Sequence, residues 1–431
     1  MKKFTIMALA VCLTVVMAAP VMAVDVDFSG AYRVRGAYVS HWDLTDKSSS
    51  VDFMDMRFRL QTVFKVTDNL SVTTRFDALE KVWGDGDLPA APGDDNIDFD
   101  RAYMTIKTDF GKFDVGRMKG GAWGTSFVDN EGDFDRIKFT KVMDNLTTIA
   151  LYQKNAENDD LRGLADTYSQ STSDEDSENY YLLNIYKMEN ITAGLLLAFN
   201  NNKTVATQTT HKYIAIPYFV SKFGPLAIQG ELAYNWGQTD YDAVGTVDRD
   251  IKELAYNIEA SYDFGFLSAL AGYAYVSGDE NVAADNEDSA YGGVGDDWEK
   301  LFILTTDEVP GLVNLGGAGN LSRDGVAAAG ADYGAKIIYA GASVKPVENV
   351  TLGFVIGKAD ADEIPAANTK DDYGVEYDFT LNWKIYDNLS YTAIAAFLSA
   401  GDIWWEQAGY ATEPNAFEDT YALFHQLQLS F

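Results

Sequence analysis

Along most of the chain, apolar and polar residues alternate in windows of about ten, the two-residue period of a strand whose faces meet different surroundings. Met54, Met56, Phe58, Leu60, Phe64 and Val66 fall on one face, and Asp55, Arg57, Arg59, Gln61 and Lys65 on the other. Residues 70–78 repeat the pattern, with Leu70, Val72, Phe76 and Ala78 against Ser71, Thr73, Arg75 and Asp77. An amphipathic helix needs apolar matches at three and four residues, and these windows lack them. The aromatic content of 13% and the nine prolines also favour pleated, half-buried surface.

The connections alternate as well. Eight short turns are predicted, at 67–69, 108–111, 143–145, 188–190, 223–225, 263–265, 346–349 and 386–388. They are built from residues with identifiable turn chemistry. Nine longer acidic, Gly-rich or Ser-rich connections lie near 41–50, 84–96, 118–133, 155–178, 201–210, 237–250, 278–331, 361–371 and 402–418. Seventeen connections join 18 strands. An even number of strands, with short turns at one end and long loops at the other, is the layout of a transmembrane antiparallel β-barrel. Lipid cannot satisfy backbone polar groups, so only a closed sheet survives there. The expected fold is all-β, with 18 strands, short periplasmic turns and long extracellular loops. Sixteen strands is the alternative count, and a large secreted sandwich or solenoid the alternative fold.

Both ends agree with export to an outer membrane. Lys2 and Lys3 precede an apolar stretch, Phe4 to Ala19, and Val21-Met22-Ala23 is a small-x-small exit site. Residues 1–23 therefore read as a cleaved signal peptide and 24–431 as a single barrel domain. An N-terminal anchor needs a longer apolar run. Cys12, the chain's one cysteine, falls inside the leader. Phe431, Leu429, Leu427, Leu423 and Tyr421 share a face of the last strand, interrupted by His425. This strand resembles the C-terminal assembly signal of Gram-negative outer-membrane proteins, which implies recognition of Phe431 by the barrel assembly machinery. Trp42, Trp83, Trp123, Trp236, Trp404 and Trp405 fall at strand–loop junctions on the long-loop side, where amphipathic rings meet a membrane interface.

Charge then sharpens the picture. The net charge of −32 excludes an electrostatic nucleic-acid binder. One cysteine excludes a disulfide scaffold, a zinc ribbon and an iron–sulfur protein. Of 11 arginines, eight lie between residues 33 and 136. A charge on the lipid face at mid-depth costs about 2–4 kcal/mol, so these side chains are expected to face the lumen. The expected basic track is Arg33, Arg35, Arg57, Arg59, Arg75, Arg101, Arg117 and Arg136, with Lys138. Guanidinium stays charged at any ordinary pH. The track can pair with anionic solutes and replace part of their hydration. Alternatively it is a stiffening lattice of Arg–carboxylate pairs, with Asp55, Asp77, Asp98 and Asp100 available.

Most acid lies in the long connections. Residues 155–178 hold eight Asp or Glu against one Arg, and 278–331 hold 11 against two basic residues. They read as a solvated outer surface bridged to lipopolysaccharide by divalent cations, or as a mouth that repels anions. Asp129, Glu131, Asp133 and Asp135 are candidates for an acidic constriction. Their segment resembles a calcium loop in composition and lacks EF-hand spacing, so no metal site is assigned. No nucleophile elbow, His-Glu-x-x-His or phosphate-binding Gly-Lys-Ser/Thr occurs. No enzyme activity and no cofactor are expected.

Within residues 100–117, the frame Arg101-Ala102-Tyr103, then Lys107, Phe110-Gly111, Phe113 and Gly116-Arg117, resembles the strand–turn–strand of Gram-negative general porins. The resemblance implies a water-filled diffusion channel and a homotrimer in outer-membrane lipid. It also implies that Arg117 points into the constriction. Strict alternation from Phe113 and Val115 would instead turn Arg117 to the lipid, unless a bulge at Gly116 re-aims it. General porins also fold an acidic third loop into the pore; here either 118–133 or 278–331 could do so. An 18-strand barrel with an arginine-rich lumen is also similar to alginate-export and substrate-selective channels. The expected function is passive diffusion of small hydrophilic solutes, with the arginine arc orienting or favouring anions. The alternatives are a selective channel or exporter for acidic polysaccharide or carboxylates, and a sleeve for a periplasmic electron carrier.

Overall fold

The computed structural model describes residues 24–41, 44, 50–84, 97–129, 132–157, 175–205, 207–243, 245–279, 286–291, 294–295, 298–306, 333–364, 369–404 and 418–431. The leader, Trp42, Glu131 and Trp405 lie outside these residues.

The strands are β1 (Asp25–Val39), β2 (Val51–Thr67), β3 (Leu70–Val82), β4 (Ile97–Thr108), β5 (Gly111–Lys119), β6 (Asp133–Met143) and β7 (Leu146–Ala156). They continue as β8 (Ser177–Lys187), β9 (Ile191–Asn202), β10 (Gln208–Phe223), β11 (Leu226–Tyr241), β12 (Arg249–Asp263) and β13 (Leu267–Val276). After a two-residue strand, β14 (Glu287–Asp288), come β15 (Ala335–Val347), β16 (Val350–Asp360), β17 (Asp372–Tyr386), β18 (Leu389–Ala400) and β19 (Thr420–Ser430).

Neighbouring wall strands pair antiparallel, and β1 pairs β19 from Ala31↔Ser430 to Val39↔Ala422, which closes the barrel. β13 pairs β15 directly, while β14 adds to β12 in parallel. The wall therefore has 18 strands, not 16. Closure leaves no sheet edge for lipid to solvate. Eight hairpin turns of two or three residues stand at one end, and the longer connections at the other.

Alternation decides which face each residue meets. Outward positions are apolar and exposed, including Phe28, Met104, Val115, Ile137, Leu195, Ile258 and Leu427. Near the long-loop end, Tyr152, Tyr180, Phe199, Tyr213 and Trp236 are successive register partners across β7 to β11. Their ring centroids stand 5.0–6.4 Å apart. Phe110, Phe113 and Phe139 cluster near the turn end. Two aromatic bands mark two membrane interfaces. Trp236 sits in the upper band and Trp83 is exposed, but Trp123 and Trp404 depart from the expected belt. Both are buried, against Tyr218 and Tyr373. His425 lies on the outward face over Gly36, in line with the apolar set that it interrupts.

Inside, one side of the barrel is filled. Val294, Trp298 and Leu301–Leu304, from the long connection between β13 and β15, pack against inward-facing Ile337, Tyr339, Leu398 and Phe424. A wall of this width alone would leave a water-filled lumen. The connections therefore decide how much of it stays open.

Candidate channel and its constriction

Register places Arg33, Arg35, Arg57, Arg59, Arg75, Arg101, Arg136 and Lys138 on the inner face of β1 to β6. Arg33 stands opposite Arg57, and Arg75 opposite Arg101. Like charges directly opposed across strands are destabilising, and carboxylates relieve them. Asp55 accepts from Arg35 Nε, at 2.9 and 3.1 Å to its two oxygens, and from Nη2 at 2.6 Å. Asp77, 5% exposed, accepts a bidentate pair from Arg59 at 2.7 and 2.6 Å. It also lies 3.7 Å from Arg57, which bonds Glu80 at 3.2 Å. Arg75 bridges Asp100 and Asp133, each at 2.8 Å, and Arg101 also bonds Asp133.

Bidentate charge-assisted bonds fix the planar guanidinium as well as stabilise it. The arc is thus a lattice in which Arg35, Arg57, Arg59, Arg75 and Arg101 share Asp55, Asp77, Glu80, Asp100 and Asp133. Arg57 and Arg59 keep 22% and 30% of their side-chain surface open to the lumen. Arg136 has polar rather than acidic partners: Gln153 at 2.7 Å and the carbonyls of Lys119 and Gly120 at 3.2 and 2.5 Å. Its guanidinium lies 4.6 Å from the Phe134 ring. Lys138 lies 3.4 Å from Asp114.

Arg117 is the exception. Register runs unbroken from Ala102↔Arg117 and Tyr103↔Gly116 on one side to Arg117↔Asp135 on the other. No bulge re-aims it. Gly116 is needed for another reason: its φ is +126°, and a Cβ there would stand 2.5 Å from the Ala102 carbonyl. Arg117 therefore shares the outward face of Val115 and pairs with Asp135 at 3.4 Å near the ends of β5 and β6. Both are corrections: neither Arg117 nor Asp135 faces the lumen. Of the other acidic candidates, Asp133 belongs to the arginine lattice and Asp129 is buried in an inward connection.

That connection, after β5, crosses the lumen. Trp123 donates Nε1–H to the Ile216 carbonyl at 3.2 Å and packs edge-on against Tyr218. The Thr125 backbone N–H and hydroxyl both donate to Glu231, at 2.6 and 2.7 Å. Gly124, with φ +61°, permits this approach, since a Cβ would stand 2.5 Å from the Glu231 carboxylate. Phe127 then meets Trp298 at 5.2 Å, and Gly295 N–H donates to the Phe127 carbonyl at 2.7 Å. Both suspected connections enter the barrel, and they meet.

The far wall holds residues that charge counting along the sequence did not single out. Glu231, Glu253, Glu376 and Asp378 face inward from β11, β12 and β17, and all are buried. Lys212 and Asn235 bond Glu253. Glu376 accepts the N–H groups of Ile303 and Leu304, and Asp378 that of Phe302 at 3.0 Å. Two signals for these were present. Glu376 and Asp378 alternate with Val375, Tyr377 and Phe379, and Leu301–Leu304 is an apolar run within an acidic connection.

The family model for Gram-negative porins matches residues 8–392. The chain belongs to the Gram-negative porin family. Solved structures of similar fold include the Pseudomonas aeruginosa channel OccK8 (OprE), at 14% identity and a TM-score of 0.52, covering 94% of this chain and 98% of that one. A BenF-like porin from Pseudomonas fluorescens Pf-5 matches at 14% identity and a TM-score of 0.53, covering 94% and 99%. Pseudomonas aeruginosa OccK5 (OpdH) matches at 12% identity and 0.53, covering 94% and 98%. At these identities the likeness shows the fold. A search of curated proteins finds no match. This porin is an outer-membrane β-barrel channel.

Proposed function

We propose that this porin passes small hydrophilic solutes by passive diffusion and favours anions. One observation carries the charge preference: both signs point inward, but the two walls differ in how their charges are covered. Arg57 and Arg59 open to the lumen, whereas Glu231, Glu253, Glu376 and Asp378 are 0–5% exposed beneath the inward connections. A buried carboxylate is already answered by the donors it holds, whereas a wet guanidinium can exchange its water for a passing anion. The crossing segments occupy volume that a protein carrier would need, which argues against a sleeve. The test is planar-bilayer recording of the refolded protein under a salt gradient. A reversal potential of the sign set by anions is expected, and Arg57→Ala with Arg59→Ala should reduce it. A cation-signed potential in the unaltered protein would reject the reading.

A further inference from the structure

We infer that the Glu376–Asp378 pair on β17 is a latch for the segment 298–306, and that the latched segment is an electrostatic shield over the acidic wall. The inference rests on the anion-favouring reading above and names what maintains it.

Three consecutive backbone N–H groups, of Phe302, Ile303 and Leu304, point at two wall carboxylates. The segment's own fold presents them. Thr305 N–H bonds the Leu301 carbonyl at 2.8 Å, and the Thr305 hydroxyl oxygen accepts the Lys300 and Leu301 N–H groups at 3.1 and 3.0 Å. A single turn is thereby closed, with its remaining donors facing β17. Each partner needs the other. Buried carboxylates require donors, and buried N–H groups require acceptors. The side chains seal the turn: Leu301, Ile303 and Leu304 are fully buried, and Phe302 packs on Phe424 at 5.4 Å. Lys300 extends the cover to β12, bonding Glu259 at 2.7 Å.

The first connection completes a strut. It is fixed to β11 through Thr125 and Glu231, and to the second segment through Phe127, Trp298 and Gly295. The strut runs from β11 to β17 and leaves Arg57 and Arg59 open. The wall acids thus hold in place what hides them. Releasing the segment would widen the channel and expose negative charge opposite the arginines.

Two variants separate latch from shield. Leu301→Ser with Phe302→Ser loosens the segment and keeps every wall acid. Glu376→Gln with Asp378→Asn loosens it and neutralises two acids. Each is made in residues 24–431, which lack cysteine, with Leu304→Cys as a reporter. Each is checked for a folded barrel by its heat-shifted gel band before reconstitution. With the native latch, the reporter thiol should resist a water-soluble thiosulfonate. In both variants it should label as a water-exposed thiol does, with a rise in unit conductance. The serine variant should lose most of its anion preference, and the Gln/Asn variant less. A protected reporter thiol and unchanged conductance in whichever variants fold would overturn the latch. Labelling with an unchanged permeability ratio in the serine variant would overturn the shield. A native protein that prefers cations would instead reject the anion reading, and the thiol assay would still report the latch.

Discussion

The two sides of the lumen carry opposite charge and treat it in opposite ways. On β1 to β6, arginines are braced by carboxylates that two of them often share, and Arg57 and Arg59 stay open to water. On β11, β12 and β17, Glu231, Glu376 and Asp378 are spent on inward connections, Glu253 is held by Lys212 and Asn235, and none of these four is more than 5% exposed. A count of inward charges would call the lumen mixed. The proposed anion preference rests instead on which of them water reaches. Exposed charges meet a passing ion directly and are screened by salt, whereas these buried carboxylates are already answered by the donors they hold.

The strongest way to break this asymmetry is to reverse its wet side. Arg57→Glu with Arg59→Glu changes four units of charge within several ångströms of the solute path. Such a change in water is worth about 1–2 kcal/mol, or roughly tenfold in a permeability ratio. The expected outcome is a cation-favouring channel, read from the reversal potential. A ratio that stays anionic would locate selectivity elsewhere, in Arg136 and Lys138 or at the mouth.

Next in size is loss of the first connection's anchor. Glu231→Ala leaves the Thr125 N–H and hydroxyl without their acceptor. An unsatisfied buried polar group costs about 1–3 kcal/mol. The connection should leave the wall more often, giving noisier and larger unit currents. Steady currents of native size would show that Trp123, through Ile216 and Tyr218, is anchor enough. A smaller effect needs no substitution. Raising salt from 0.1 to 1 M shortens the Debye length from about 10 to about 3 Å. The anion preference should shrink accordingly, because its source is exposed; a salt-independent ratio would instead point to desolvated contacts.

How much of this was legible in the sequence follows from the same contrast. Period-two alternation assigned faces correctly along β2 and β3, because lipid tolerates so few charges that the pattern is enforced. Turn chemistry gave the strand count for the same reason: closure leaves little freedom in the short hairpins. The acidic wall was harder to see. Glu376 and Asp378 alternate as lumen residues should, but their partners lie more than 70 residues away, in a connection whose charge suggested an outer surface. Only the apolar run Leu301–Leu304 pointed inward. Trp123 and Trp404 were misleading because their position at strand ends fits either a membrane belt or an inward anchor.

Arg117 gives the smallest predicted effect and the most specific check on facing. The porin-like Gly116-Arg117 frame implied a pore residue, while plain alternation implied the outer wall, and the unbroken register follows alternation. Its partner Asp135 is 63% exposed and lies 3.4 Å away near the strand ends, where a charged pair meets water or headgroups rather than hydrocarbon. Exposed pairs of this kind contribute about 0–1 kcal/mol. Arg117→Ala should therefore leave the permeability ratio and unit conductance unchanged, and shift stability by no more than about 0.5 kcal/mol. The same substitution at Arg59, which keeps 30% of its side chain open to the lumen, should move the ratio measurably. If Arg117→Ala moved it as far as Arg59→Ala, the assignment of faces on β5 would be wrong, and with it the boundary between lumen and lipid on this side of the barrel.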